Sequence, residues 1–141
     1  MYYEQLSPHF SFEELTFTNR QNLLLQNRQL ALARRQELAI LANYILEPAR
    51  IALNTPLVVT SAFRCAQLNA AVGGAGTSQH LLGQAADFVP RGLDLKEAFD
   101  ILRAARYICY GQLIYEGKWI HISLGAPFRP LERCGEVFEI L

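Results

Sequence analysis

The sequence has no surplus of charge of either sign: thirteen lysines and arginines are matched by thirteen aspartates and glutamates. A sequence-independent binder of nucleic acid or of an anionic membrane surface draws on a basic excess, so that class is excluded and no nucleic-acid partner is expected. No apolar run approaches the roughly 18 residues of a membrane span. The opening Met1-Tyr2-Tyr3-Glu4-Gln5 lacks the basic start and apolar stretch of a secretory signal. Synthesis as a soluble cytoplasmic protein, and a monomer, is therefore the expectation. Cysteine is scarce as well. Cys65, Cys109 and Cys134 are odd in number and widely spaced, which suits neither a disulfide framework nor a four-thiolate zinc site. Each is expected to stay reduced as a small buried apolar residue. Internal repeats, low-complexity tracts and linkers of Gly, Ser or Pro are absent, so residues 1–141 read as one domain.

With 51% hydrophobic residues in 141, the chain has enough apolar surface for a core that needs no covalent staples. Ser11-Phe12-Glu13-Glu14 is a capping box and predicts a short helix. From about Asn27 to Leu53, Leu38, Leu41, Ala42, Ile45, Leu46 and Ala49 recur at helical spacing and form a stripe for the core, with Pro48 disturbing the regular hydrogen bonding. Arg28, Arg34 and Arg35 read as the solvated face of that helix. Leu57-Val58-Val59-Thr60 predicts a buried strand, Cys65 to Val72 a short helix, and Gly73-Gly74-Ala75-Gly76 a loop. A second strand is expected at Ala85 to Val89, and Asp94 with Glu97 caps a further helix whose buried face is Leu95, Ala98, Phe99 and Leu102. Two strand-like runs around Gly117-Lys118 predict a hairpin that pairs Tyr115 with Ile120 and Ile114 with His121. Behind Pro127 and Pro130, Glu136 to Ile140 reads as a last strand. Helices and hairpin-linked strands in mixed order indicate an α+β fold with a largely antiparallel sheet.

Three histidines are present, and two stand where the local pattern makes them conspicuous. His80 lies on a loop that Gly83 turns into the second strand, where Asp87 sits between Ala86 and Phe88. A carboxylate in a strand that otherwise reads as buried needs a cation, because leaving it unpaired costs several kcal/mol. His121 stands between Ile120 and Ile122. The hairpin register puts Glu116 on the same face as His121, diagonally across the pair, about 7–8 Å away at Cβ. Two imidazoles and one carboxylate form a catalytic zinc set with one position open, and a nearby carboxylate such as Glu116 can act as general base. On spacing alone a second arrangement stays open, in which His80 caps a loop, Asp87 pairs with an arginine and His121 is a satisfied core histidine. His9 reads as a packing or solvent-facing polar contact, and Trp119 as packing beside the turn.

Ser61-Ala62-Phe63-Arg64, Asn69-Ala70-Ala71-Val72-Gly73-Gly74, the run Ser78 to Asp87 and Trp119-Ile120-His121-Ile122-Ser123 together resemble the M15 family of zinc peptidases. More narrowly they are similar to its D-Ala-D-Ala carboxypeptidase-like branch of phages and prophages. His9 to Leu15 and Leu46 to Arg50 extend the resemblance over most of the chain. It implies a small α+β fold, Zn2+ held by His80, Asp87 and His121, and Arg64 and Ser78 contacting substrate. Relatives place an acidic residue three positions before the last histidine, where this sequence has Lys118, and the hairpin reading offers Glu116 in its stead. Cys65 stands where relatives often carry Ser at a helix start. The activity implied is hydrolysis of peptidoglycan stem peptides, with removal of a terminal D-Ala as first choice. The alternatives are an L-alanyl-D-glutamate endopeptidase of the endolysin type, or a zinc-containing cell-wall-binding or phage structural module without catalysis. Without a leader, access to the wall would depend on release from the cell.

Overall fold

The computed structural model describes residues 4–125 and, as backbone alone, residues 136–139. Its first helix, α1 (Phe12–Leu15), starts as the capping box requires: Ser11 Oγ accepts from the Glu14 N–H at 3.1 Å. Burial raises the Glu14 pKa, against the opposing pull of the Ser11 backbone N–H.

The helical region begins earlier than its leucine pattern predicts, at Gln21 rather than Asn27, because Arg20 opens it without any side-chain cap to mark the start. It is also not one helix. α2 (Gln21–Ala31) passes through a 3-10 turn at Leu32–Arg34 into α3 (Arg35–Leu41), and a wide π turn at Ala42–Leu46 leads to α4 (Glu47–Leu53). The π turn ends two residues before Pro48, whose ring crowds the turn behind it and which has no N–H to donate there; widening the turn relieves both. The stripe survives these breaks, since Leu38, Leu41, Ala42, Ile45, Leu46 and Ala49 are all buried. α4 ends at Asn54, left-handed at φ 51°, a conformation asparagine tolerates better than most residues.

The strands β1 (Leu57–Ser61), β2 (Ala85–Pro90), β3 (Tyr110–Tyr115), β4 (Ile120–Leu124) and β5 (Glu136–Glu139) form one sheet in the order β1-β2-β4-β3-β5. The first four pair antiparallel, as the α+β reading expects, and β5 joins the β3 edge in parallel. The hairpin register is as predicted, with Tyr115 opposite Ile120, Ile114 opposite His121, and Gly117 at φ 91° in the turn. α5 (Ala66–Ala71) follows β1, and α6 (Leu95–Ala104), capped by Asp94 on the Glu97 N–H, crosses from β2 to β3.

Strand alternation divides the sheet into two faces. Leu57, Val59, Ala86, Phe88, Leu113, Ile120 and Ile122 join Leu46, Phe99 and Leu102 in the core. The other face carries Ser61, Asp87, His121 and Ile114, and the pairing aligns these four in a single row across β1, β2, β4 and β3. Cys65 is the expected buried free thiol. Cys109 is disulfide-bonded, which corrects the expectation of a reduced thiol there: an odd count still leaves room for one pair. Pro127, Pro130 and Cys134 lie outside the described residues.

Buried polar groups fasten the helices to the strand ends. Asn27, fully buried, donates through Nδ2 to the carbonyls of Thr16 (2.9 Å) and Phe63 (3.1 Å) and accepts from the Cys65 N–H at 2.7 Å. Arg28 does not belong to a solvated face: its guanidinium bonds Thr16 Oγ1 (3.2 Å) and the Glu13 carbonyl (3.0 Å), because the break after α1 leaves those acceptors facing α2. Arg34 and Arg35 do lie outside, paired with Glu37 and Glu4. Asn27→Leu keeps the volume but orphans three backbone groups, so a loss of roughly 2–5 kcal/mol is expected, read as a lower urea midpoint with unchanged slope.

Candidate metal centre

The backbone after β1 builds the first wall of the site. Ala62 and Arg64 clamp the short 3-10 turn Gln79–Leu82: His80 Nδ1 donates to the Ala62 carbonyl at 2.6 Å, and the Arg64 N–H donates to the His80 carbonyl at 3.0 Å. Ser78 caps that turn, its Oγ accepting from the His80 N–H at 3.1 Å, and Gly83 ends it at φ 70°, where a glycine is needed to turn the chain into β2. Asp87 is then delivered by the middle of β2, directly opposite His121 on β4.

One carboxylate oxygen collects both imidazoles. Asp87 Oδ1 lies 2.9 Å from His121 Nδ1 and 3.3 Å from His80 Nε2, and the two rings meet edge to face with centroids 5.2 Å apart. The other oxygen, Oδ2, accepts from the Arg64 guanidinium at 3.1 Å. Burial penalises the Asp87 charge, yet the hydrogen bonds and charges of His121 and His80 outweigh it and hold the carboxyl far below the usual range. The carbonyl of Ala62 can only accept, so His80 carries its proton on Nδ1, and a neutral His80 points a bare Nε2 lone pair at a carboxylate oxygen. Two lone pairs at that distance call for a cation between them, either a second proton on the ring or a metal. His80, Asp87 and His121 each offer one ligand atom, all within 4.8 Å of one another. Two imidazole nitrogens and a carboxylate oxygen, with the backbone bond orienting one ring, are a donor set that fits zinc. The arginine pairing of Asp87 and the histidine cluster, which stood as separate readings of the sequence, are both present in one site.

These residues line a cleft of about 1080 Å³ together with Arg64, Ser78, Glu116 and Trp119. Glu116 forms no side-chain hydrogen bond or ion pair among the described residues, so its carboxylate is free in that cleft. Lys118 is exposed at the turn and does not line it. Trp119 is 36% exposed and forms part of the wall rather than packing into the core. His9 lies away from the cleft, its Nδ1 bonded to Glu47 at 2.8 Å, the polar contact expected of it.

Asn69 escaped notice in the sequence as a site residue. It is buried at the end of α5, donates to the Ala75 carbonyl at 2.9 Å and accepts from Arg64 at 3.4 Å, while Arg64 also donates to Ser61 Oγ at 3.0 Å. A polar residue on the core side of a helix was the available signal. Asn69 also explains Gly74: a Cβ there would stand 2.0 Å from Asn69 Oδ1. Gly74→Ala is therefore expected to push Asn69 off Arg64 and cost about 1–3 kcal/mol, read by thermal melting.

A family model described as Peptidase M15 matches residues 8–123. No curated protein matches the chain. The match begins just before the α1 cap and runs through every residue that converges on the Asp87 carboxylate, and by it the chain belongs to the M15 family of metallopeptidases.

Proposed function

We propose that this protein is a zinc-dependent peptidase of bacterial cell-wall peptides, and that it removes the terminal D-Ala of a peptidoglycan stem. The observation that carries the reading is the convergence of His80, Asp87 and His121 beside an unpaired Glu116 in one open cleft, in a chain of a zinc-dependent peptidase family.

His80, Asp87 and His121 would hold zinc, and the bound metal would supply a Lewis acid able to lower the pKa of water toward about 7 and to polarise a carbonyl. Glu116 takes the proton from the attacking water and returns it to the leaving amine. Its freedom from other partners keeps the carboxylate available for both transfers. Arg64 engages Ser61, Asn69 and Asp87 through one donor each, which leaves two of its five N–H groups for the oxyanion that develops at the carbonyl. Because those three bonds hold the guanidinium in place, little reorganisation is needed as charge develops. Ser78 spends an oxygen lone pair on the His80 turn and keeps its own hydroxyl proton for a substrate carbonyl. Lys118, three residues before His121, lies outside this cleft, so the role of base falls to Glu116.

A second reading, endopeptidase cleavage between L-Ala and D-Glu, draws on the same ligand set and the same open cleft. Product analysis separates the two: release of free D-Ala from a stem pentapeptide supports the first, and release of L-Ala from the other end supports the second. Glu116→Gln is expected to lower turnover by about 10²- to 10⁴-fold while one equivalent of zinc stays bound, as measured by metal analysis beside the assay. Retained activity would remove Glu116 from the mechanism. His80→Ala is expected to lose the metal along with turnover, and a chelator should silence the wild type reversibly; full zinc occupancy in His80→Ala would refute the ligand set.

A further inference from the structure

The open face of the sheet continues past Arg64. A second groove of about 590 Å³ shares Arg64, Val72, Asp87 and Trp119 with the cleft and adds, among others, Phe17, Val58, Val89 and Lys118. Phe17 and Val58 are 45% and 44% exposed, so two large apolar side chains face solvent along its wall. Lys118, exposed at the tip of the β3–β4 turn, has no ion-pair partner among the described residues. Asp87 is the one carboxylate lining this groove, and its two oxygens are already held by His80, His121 and Arg64. A furrow that adjoins a hydrolytic centre, has an apolar wall and carries a free cation on its rim is complementary to an extended, acidic peptide.

The geometry points to this groove as a substrate subsite in which a peptide carboxylate meets Lys118 while the chain lies across β2 and β1. The assignment rests on the peptidase reading above and adds where the substrate runs and what it must carry. Lys118 stands in the turn just before β4, three residues ahead of His121, so roughly 10 Å of extended backbone at 3.3 Å per residue separates it from the hydrolytic centre, the reach of about three residues of a bound peptide. The carboxylate therefore belongs within about three residues of the scissile bond. Lys118, standing three residues before His121, becomes a specificity residue in this assignment.

The test compares two peptides, Ala-γ-D-Glu-Lys-D-Ala-D-Ala and the same peptide with the glutamate α-carboxylate amidated. Binding to zinc-loaded Glu116→Gln protein is measured by calorimetry, and hydrolysis of both peptides by the wild type is followed separately. The free carboxylate is expected to bind roughly two- to fivefold tighter, the scale of an exposed ion pair, with the preference shrinking as salt rises. Adding Lys118→Gln should bring the ratio to about one, and Lys118→Arg should restore it. Equal binding of the two peptides, a preference that survives Lys118→Gln, or no binding of either would overturn the subsite. Failure of the wild type to cleave either peptide would instead count against the enzymatic reading, and the binding ratio would still judge the groove.

Discussion

A buried carboxylate in the middle of a strand is the constraint around which this molecule is arranged. Asp87 interrupts β2 between Ala86 and Phe88, both fully buried, and its charge is tolerable only because cationic or donating groups reach it from three separate segments. Isolating such a charge costs several kcal/mol, so the turn carrying His80, the strand carrying His121 and the segment carrying Arg64 are each held to it by that penalty. The same oxygens that stabilise the fold when paired are the ones presented to a metal. Structure and chemistry therefore compete for one group, and a cation satisfies both.

The scaffold answers this with rigidity on the opposite side. Phe88, Ile120, Ile122 and Leu113 fill the helix-covered face, so the strands that carry Asp87 and His121 have little freedom to shift. Asn27 and Asn69 extend the restraint into the loops, the first tying α2 to the backbone on both sides of Arg64 and the second holding Arg64 itself. The π turn before Pro48 lets one broken helical region keep its apolar stripe on the core despite a proline. Against this fixed floor, the hairpin tip with Lys118 and Trp119 lines the open face.

Features set by neighbours in sequence were legible. The Ser11 and Asp94 caps, the Gly117-Lys118 hairpin with its register, and the apolar stripe of residues 38–49 all follow from local hydrogen bonding and periodicity, and each is found in place. Features set by distant partners were not. Helix α2 starts at Gln21 without a capping side chain, Arg28 turns inward because acceptors from the end of α1 meet it, and Cys109 is bonded although the cysteine count argued for free thiols.

The candidate site divides along the same line. Sequence alone determined the chemistry on offer: a carboxylate out of place in an apolar strand, two histidines in patterned surroundings, and Glu116 sharing a face with His121, because the alternation of a strand and the geometry of a tight turn are local matters. Only the tertiary structure decided that Asp87 and His121 stand opposite one another, since α6 and β3 separate them along the chain and antiparallel pairing of β2 with β4 is a choice made by burial of the whole sheet. It also decided that the site opens into a cleft which Glu116 lines and Lys118 does not, because the walls around a hairpin come from distant segments that no local pattern encodes.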